Sequence, residues 1–238
     1  MFSVVLPTLQ LSWELRPLLD LYDAHPLVGE VIVINNAPAP LEGVGRKVRV
    51  LHQPTNLLVN PSWNLGVTQA RFDHLAISND DVMFPPPLLN AVAGRLTRRV
   101  GMIGPHTSCL RPGRSRAPVF VPAYSRTPGF GTLFFMSRSD WVPIPDDLLI
   151  WCGDDFQFSR QTKRNLWFVG PRIVTPMGVT SRRAEFSAQK QVDLAVFNAR
   201  YRSDDPYLAR FGFEAAVSRR TRRALRTLRS LRRGPAAG

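Results

Sequence analysis

Cysteine is scarce in this chain of 238 residues, with only Cys109 and Cys152, in unrelated contexts. They form neither a zinc-ligand spacing nor a disulfide framework. No apolar run approaches the roughly 18 residues that a membrane-spanning helix needs. The first residues, Phe2-Ser3-Val4-Val5-Leu6-Pro7-Thr8, read as a strand and lack the basic region and small-residue cleavage site of a signal peptide. The four histidines (His25, His52, His74, His106) show no ligand spacing, and there is no internal repeat. These absences lead us to expect a soluble, cytoplasmic protein. A hydrophobic fraction of 44% is ample for a core, which excludes global disorder.

Acidic residues are also few: 18 against 31 lysines and arginines, for a formal net charge of +13. The imbalance is uneven, since Arg219 to Arg233 holds eight arginines and no acid. In the tail, Val217, Leu225, Leu228 and Leu231 fall between the arginines, predicting a basic helix with a narrow apolar stripe. Such a helix suits an anionic membrane surface or nucleic-acid phosphates, or is simply a solvated terminal helix. Residues 217–233 are thus a candidate peripheral contact. A second basic cluster, Arg111, Arg114, Arg116 and Arg126, lies in a segment rich in Pro and Gly, and both clusters are expected to attract polyanions such as nucleic acid, anionic lipid or diphosphates.

Strand and helix signals alternate, which predicts an α/β fold with a mainly parallel sheet flanked by helices. Expected strands are Val4–Pro7, Glu30–Asn35, Val48–Leu51, His74–Ser78, Val100–Gly104, Phe130–Met136 and Leu166–Val174. Expected helices are Leu11–Ala24, Pro61–Arg71, Pro85–Arg98, Asp154–Lys163, Ala188–Tyr201 and about Glu214 to Arg232. Residues 105–128 read as an irregular binding loop or lid. The domain expectation is a main body, 1–211, with halves of about 1–104 and 105–211, followed by a basic helical extension, 212–238.

Asn79-Asp80-Asp81 falls at the carboxyl end of an expected strand, where ligands gather in open α/β sheets. Two carboxylates and an amide on a short turn suit Mg²⁺ or Mn²⁺ shared with substrate phosphate oxygens. The same tripeptide also suits an Asx turn or a helix cap. Asp154-Asp155 is a second acidic pair, and Asp154 would equally serve as the cap of the helix that follows. Trp151 and Trp63 would stack on a sugar or base, or pack in the core.

Ser3-Val4-Val5-Leu6-Pro7-Thr8, Val31-Ile32-Val33-Ile34-Asn35-Asn36, the stretch from Asn56 to Gly66, and Asn79-Asp80-Asp81 occur in an order that resembles family 2 glycosyltransferases of the GT-A (Rossmann-like) fold. Rhamnosyltransferase-like members are the nearest in pattern. The likeness extends to Gly129-Phe130-Gly131-Thr132-Leu133-Phe134-Phe135 and Trp151-Cys152-Gly153-Asp154-Asp155-Phe156, and covers roughly residues 2–175.

The resemblance implies an inverting transfer from a nucleotide sugar to an acceptor hydroxyl. It puts Pro7, Thr8 and Asn35 near the nucleoside, Asn56 and Asn64 near the diphosphate or sugar, and Asn79 and Asp80 on the donor. Asp81 would hold the metal, and Asp155 would be the general base with Asp154 beside it. Gly131 and Trp151 would lie on the acceptor side. Asn64 also suits a purely structural role in a tight packing. The implied acceptor is a glycan, a lipid-linked glycan, a protein or DNA. Two departures stand out. Val174-Thr175-Pro176-Met177-Gly178-Val179-Thr180 carries no histidine where many relatives supply a further metal ligand, and Asn35 replaces the usual aspartate.

Two other readings compete. A nucleotidyltransferase also needs paired acids on an α/β sheet, but Pro7-Thr8-Leu9-Gln10 is neither Gly-rich nor Lys-bearing. A catalytically inactive, basic nucleic-acid-binding protein would account for the charge but leaves the acids at two strand ends unexplained.

Overall fold

The computed structural model describes residues 1–176 and 184–232. One eight-stranded sheet runs through it: β1 (Phe2–Thr8), β2 (Val28–Asn35), β3 (Val48–His52), β4 (His74–Ser78), β5 (Val100–Pro105), β6 (Val119–Pro122), β7 (Leu133–Ser137) and β8 (Arg164–Val169). The spatial order is β3-β2-β1-β4-β7-β5-β8-β6. Only β7 and β6 run against the rest, so the sheet is mainly parallel.

The helices are α1 (Leu15–Ala24), α2 (Val59–Thr68), α3 (Pro87–Arg95), α4 (Gly153–Arg160), α5 (Ala184–Val196) and α6 (Pro206–Arg232). The boundary expected at 211/212 falls within α6. No helix among the described residues is long and apolar enough to cross a membrane.

Period-two alternation divides the core. Val4 and Leu6 of β1, with Val31 and Val33 of β2, pack towards α1 and α3. Val5, Ile32 and Ile34 point the other way, onto Trp63 and Val67 of α2 and Phe156 and Phe158 of α4. Both faces of β1 are therefore buried, which is why it reads as an almost unbroken apolar run.

Several boundaries differ from expectation for local reasons. The first helix starts at Leu15, not Leu11, because Gln10 takes a left-handed φ of 57° and the Ser12 hydroxyl accepts a hydrogen bond from the Glu14 amide. Residues 105–128 are less irregular than expected, since β6 adds to the sheet edge beside β8. Phe130–Thr132 is a short 3₁₀ turn after left-handed Gly129, and the strand begins only at Leu133. The last strand ends at Val169, ahead of Gly170 with φ 108°. Val174 instead makes an isolated antiparallel bridge to Met83.

Close helix–sheet approach depends on Gly66 of α2, where an added Cβ would lie 2.3 Å from Val5 Cγ1. Val5 is fully buried and has nowhere to retreat. Gly66→Ala is expected to destabilise the protein by about 1–3 kcal/mol, seen as a lower urea midpoint at unchanged slope.

Candidate active site

A cleft of about 630 Å³ opens at the carboxyl ends of β1 and β4. Its floor is the turn after β4. Thr8, the last residue of β1, donates its hydroxyl to Asp80 Oδ2 at 2.5 Å, joining the two strand ends. Asn79 lines the cleft, and its amide donates to the Thr132 carbonyl at 2.9 Å. Beyond the turn, Met83 and Val174 exchange backbone hydrogen bonds of 2.7 and 2.8 Å. The acids are thereby pinned on both sides.

Burial raises Asp80 to about 6 from an ordinary 3.8; the Thr8 hydroxyl pulls down only part of the rise, while Asp81 and Glu14 add to it. Asp81 is raised mainly by burial, against a lowering by Thr175. Its Oδ1 is buried with no hydrogen-bond partner. A carboxylate oxygen left so in a cleft is the kind of atom a divalent cation satisfies. Among the described residues, no three His, Cys, Asp or Glu side chains cluster as a ready-made cage. A cation on Asp81 would suit sharing with substrate phosphates and water, as Mg²⁺ commonly is.

The opposite wall is the start of α4. The residue ahead of the helix is Cys152, in a left-handed conformation (φ 63°), and no side chain caps the helix. Asp154 is thus not the cap; it and Asp155 occupy the first turn, where the helix dipole favours negative charge. Burial nevertheless holds Asp154 above the usual carboxylate range, opposed by the Arg126 guanidinium and reinforced by Asp155. Gly131 lines the cleft beside it, and a Cβ there would come within 2.8 Å of Asp154 Oδ2. Burial and the two acids push the Cys152 thiol up to about 12.

Pro7, Thr8, Asn56, Asn79, Asp80, Asp81, Gly131, Trp151, Asp154 and Asp155 all line this one cleft. Asn56 also bonds the Leu58 amide at 2.8 Å. Asn35 and Asn64 are not among the lining residues. Asn35 is fully buried, with Nδ2 donating to Ala39 O at 2.8 Å and Oδ1 accepting from Ala37 N and Gln10 Nε2. Its neighbour Asn36 reaches the cleft instead. Asn64 donates to Ile144 O and accepts from Ile144 N and Trp141 Nε1, so its amide is committed to packing. Residues 177–180 of the histidine-free segment lie outside the described residues.

Three residues hold positions for which the sequence reading named no site partner. Arg126 pairs with both acids of α4: its Nε meets Asp155 Oδ1, and its Nη1 lies 3.2 Å from Asp154 Oδ2. The sequence signal was its place in a basic cluster expected to attract polyanions, diphosphates among them; its acidic partners were not anticipated. Lys190 of α5 sits 4.8 Å from the Trp151 ring centre. Asp193, fully buried on α5, accepts from the amides of Leu149 (3.3 Å), Ile150 (2.8 Å) and Trp151 (2.7 Å), fixing the chain just before the α4 acids. An acid in an otherwise mixed helix gave no warning of that.

No protein-family model and no curated protein matches the sequence. Solved structures do match in shape. S. aureus TarS residues 1–349 superposes with a TM-score of 0.54 at 13% identity, covering 85% of this chain and 73% of that one. The same TarS fragment in complex with UDP-GlcNAc gives 0.55 at 14% identity, covering 88% and 71%. GalNAc-T7 with UDP, GalNAc and Mn²⁺ gives 0.58 at 12% identity, covering 89% of this chain and 50% of that one. Both proteins are glycosyltransferases. The fold is GT-A. Within the GT-A frame, the cleft lies at the strand ends where this sheet type carries its ligand.

The raised Asp80 has a stability consequence. Its folded value of about 6 exceeds the unfolded 3.8, so its contribution is fully present below about pH 4 and is lost as pH rises through 6. Asp80→Asn, which cannot ionise, is expected to be more stable than wild type by roughly 1–3 kcal/mol near pH 8, with the difference fading towards about pH 4. Thermal melts at the two pH values check this.

Proposed function

We propose that this chain is an inverting glycosyltransferase of the family 2, rhamnosyltransferase-like kind, transferring a sugar from a nucleotide-sugar donor to an acceptor hydroxyl. One observation carries the reading: two acidic pairs from distant parts of the chain, Asp80-Asp81 and Asp154-Asp155, line the same cleft at the carboxyl ends of the strands. An inverting displacement needs negative charge managed on both sides of the transferred sugar, and this is the residue set for it. The GT-A fold and the UDP-containing neighbours add support.

In this reading Thr8, Pro7, Asn56 and Asn79 border the donor nucleotide and diphosphate, with Asp80 on the sugar. Asn35 and Asn64 act indirectly, by holding the walls. Asp81 would hold a divalent cation, Mn²⁺ or Mg²⁺, which when bound supplies Lewis-acid charge to the departing diphosphate. Asp155 accepts the proton of the acceptor hydroxyl, and a carboxylate poised close to that oxygen suits the task. Asp154, behind it and against Gly131, orients the pair. Trp151, with Gly131, offers the acceptor a flat face. The acceptor itself, whether glycan, lipid-linked glycan, protein or DNA, is selected by residues 105–128 and the C-terminal region. We further read the chain as a cytoplasmic protein whose basic extension, 217–233, meets an anionic membrane or nucleic acid; Phe213, just before it on α6, is 83% exposed.

Thermal melts with UDP, GDP, dTDP and CDP, each with Mn²⁺ and with EDTA, test the reading. One diphosphate is expected to stabilise the protein in a metal-dependent way, by about 2.7 kcal/mol at a hundredfold excess over Kd. That amounts to a rise of roughly 5–10 °C in Tm for a domain of this size. No shift with any of the four would sink the proposal. Asp155→Asn is expected to bind the nucleotide at least as tightly as wild type while transfer falls about 10²–10⁴-fold. Normal turnover in that variant would remove Asp155 from its role as base.

A further inference from the structure

Among the described residues, the cleft that must seat a doubly negative diphosphate is lined by four acids, Asp80, Asp81, Asp154 and Asp155, and by the cations Arg126 and Lys190. Lys190 lies against Trp151. Arg126 is committed to Asp154 and Asp155. As it stands, the proposed base is held on a guanidinium, and the guanidinium best suited to a diphosphate is held on the base.

We propose that Arg126 is a partner-exchanging cation: it rests on the Asp154-Asp155 pair in the donor-free protein, and the donor's diphosphate draws it away, leaving Asp155 open to take the acceptor's proton. The inference rests on the glycosyltransferase reading above. Three features of the site carry it. The Arg126 side chain is 32% exposed although ion-paired, so it faces the cleft and not the core. The planar guanidinium fork suits paired phosphate oxygens as well as it suits carboxylates. Arg126 also has anchored neighbours, which confines the exchange to its side chain. Ala123 N donates to Asn165 O at 2.9 Å, Tyr124 Oη to Glu214 Oε2 at 3.0 Å, and Thr127 Oγ1 to Pro105 O at 3.1 Å.

The chemistry balances without any further reactant. The acceptor oxygen forms the new bond to the anomeric carbon, and its proton passes to Asp155. The bond from the anomeric carbon to the phosphate oxygen breaks, and its electron pair leaves with the diphosphate, where Arg126 now sits. An empty donor site would leave Asp155 neutralised, so the order of binding is built into one side chain.

The test is a double-mutant cycle on equilibrium binding, using whichever of UDP, GDP, dTDP or CDP stabilises the wild type, with the matching nucleoside monophosphate as control. Arg126→Gln is expected to weaken the diphosphate by about tenfold or more, and the monophosphate by much less. Asp155→Asn removes the competing carboxylate and is expected to tighten the diphosphate by about 3–10-fold. In the double variant that gain disappears. A residue that merely held the acids in place would give no tightening in Asp155→Asn and no coupling. Should Arg126→Gln fail to fold, Arg126→Lys, which keeps charge but loses the fork, is expected to weaken the diphosphate by an intermediate amount. Unchanged diphosphate affinity in the Arg126 variant, or in Asp155→Asn, overturns the exchange while leaving the transferase reading intact. A wild type that binds none of the four overturns both.

Discussion

Asp193 is wholly buried, yet its two oxygens take hydrogen bonds from the amides of Leu149, Ile150 and Trp151 and from the Gln189 side chain. Those three amides precede the left-handed Cys152, and that residue aims Asp154 and Asp155 into the cleft. A buried carboxylate without such partners would cost several kcal/mol. With all these partners in place, it becomes a rigid clamp between α5 and the wall that carries Asp154 and Asp155. The contrast with the opposite side is chemical. Asp80 has one hydroxyl donor, and Asp81 keeps an oxygen with none. Asp193 thus serves the frame, whereas Asp81 keeps an unpartnered oxygen beside the cleft.

Backbone strain follows the same division. Gln10, Leu58 and Cys152 are the non-glycine residues with positive φ among the described residues, and each lies on or next to the cleft lining. Leu58, at φ 68° and ψ −173°, occupies a region almost reserved for glycine. Each such residue costs about 1–3 kcal/mol and persists only where its surroundings impose it. Around Leu58 the imposing groups are the Asn56 side chain, bonded to its amide, and the Ser62 hydroxyl, bonded to its carbonyl.

Strands β1, β2 and β4 were legible because they are buried on both faces and hence largely apolar, and His74–Ser78 matches its expected bounds. Helix and strand ends were less legible, since Gln10, Gly129 and Gly170 act through conformations that composition only suggests. Within the site, backbone position was readable but side-chain direction was not. Asn35 and Asn36 are adjacent, and which of them meets the cleft depends on how the turn after β2 closes around Ala37 and Ala39. Asn64 sits one helical turn beyond Asn60 but points to the 141–144 segment. Arg126 was visible only as charge, because its pairing with Asp155 spans 29 positions and depends on how β7 folds back between them.

The reversed strand β7 between β4 and β5 has a kinetic consequence. It carries Gly131 and Thr132 to the same edge as the turn after β4, so the cleft draws on residues from Pro7 to Leu194. Contacts of such separation form late, after loop closure has been overcome. During synthesis β1 to β4 emerge early, but the Asp193 clamp exists only once α5 has been made. The wall that carries Asp154 and Asp155 therefore stays unsupported until α5 docks, so the cleft is completed only late in folding.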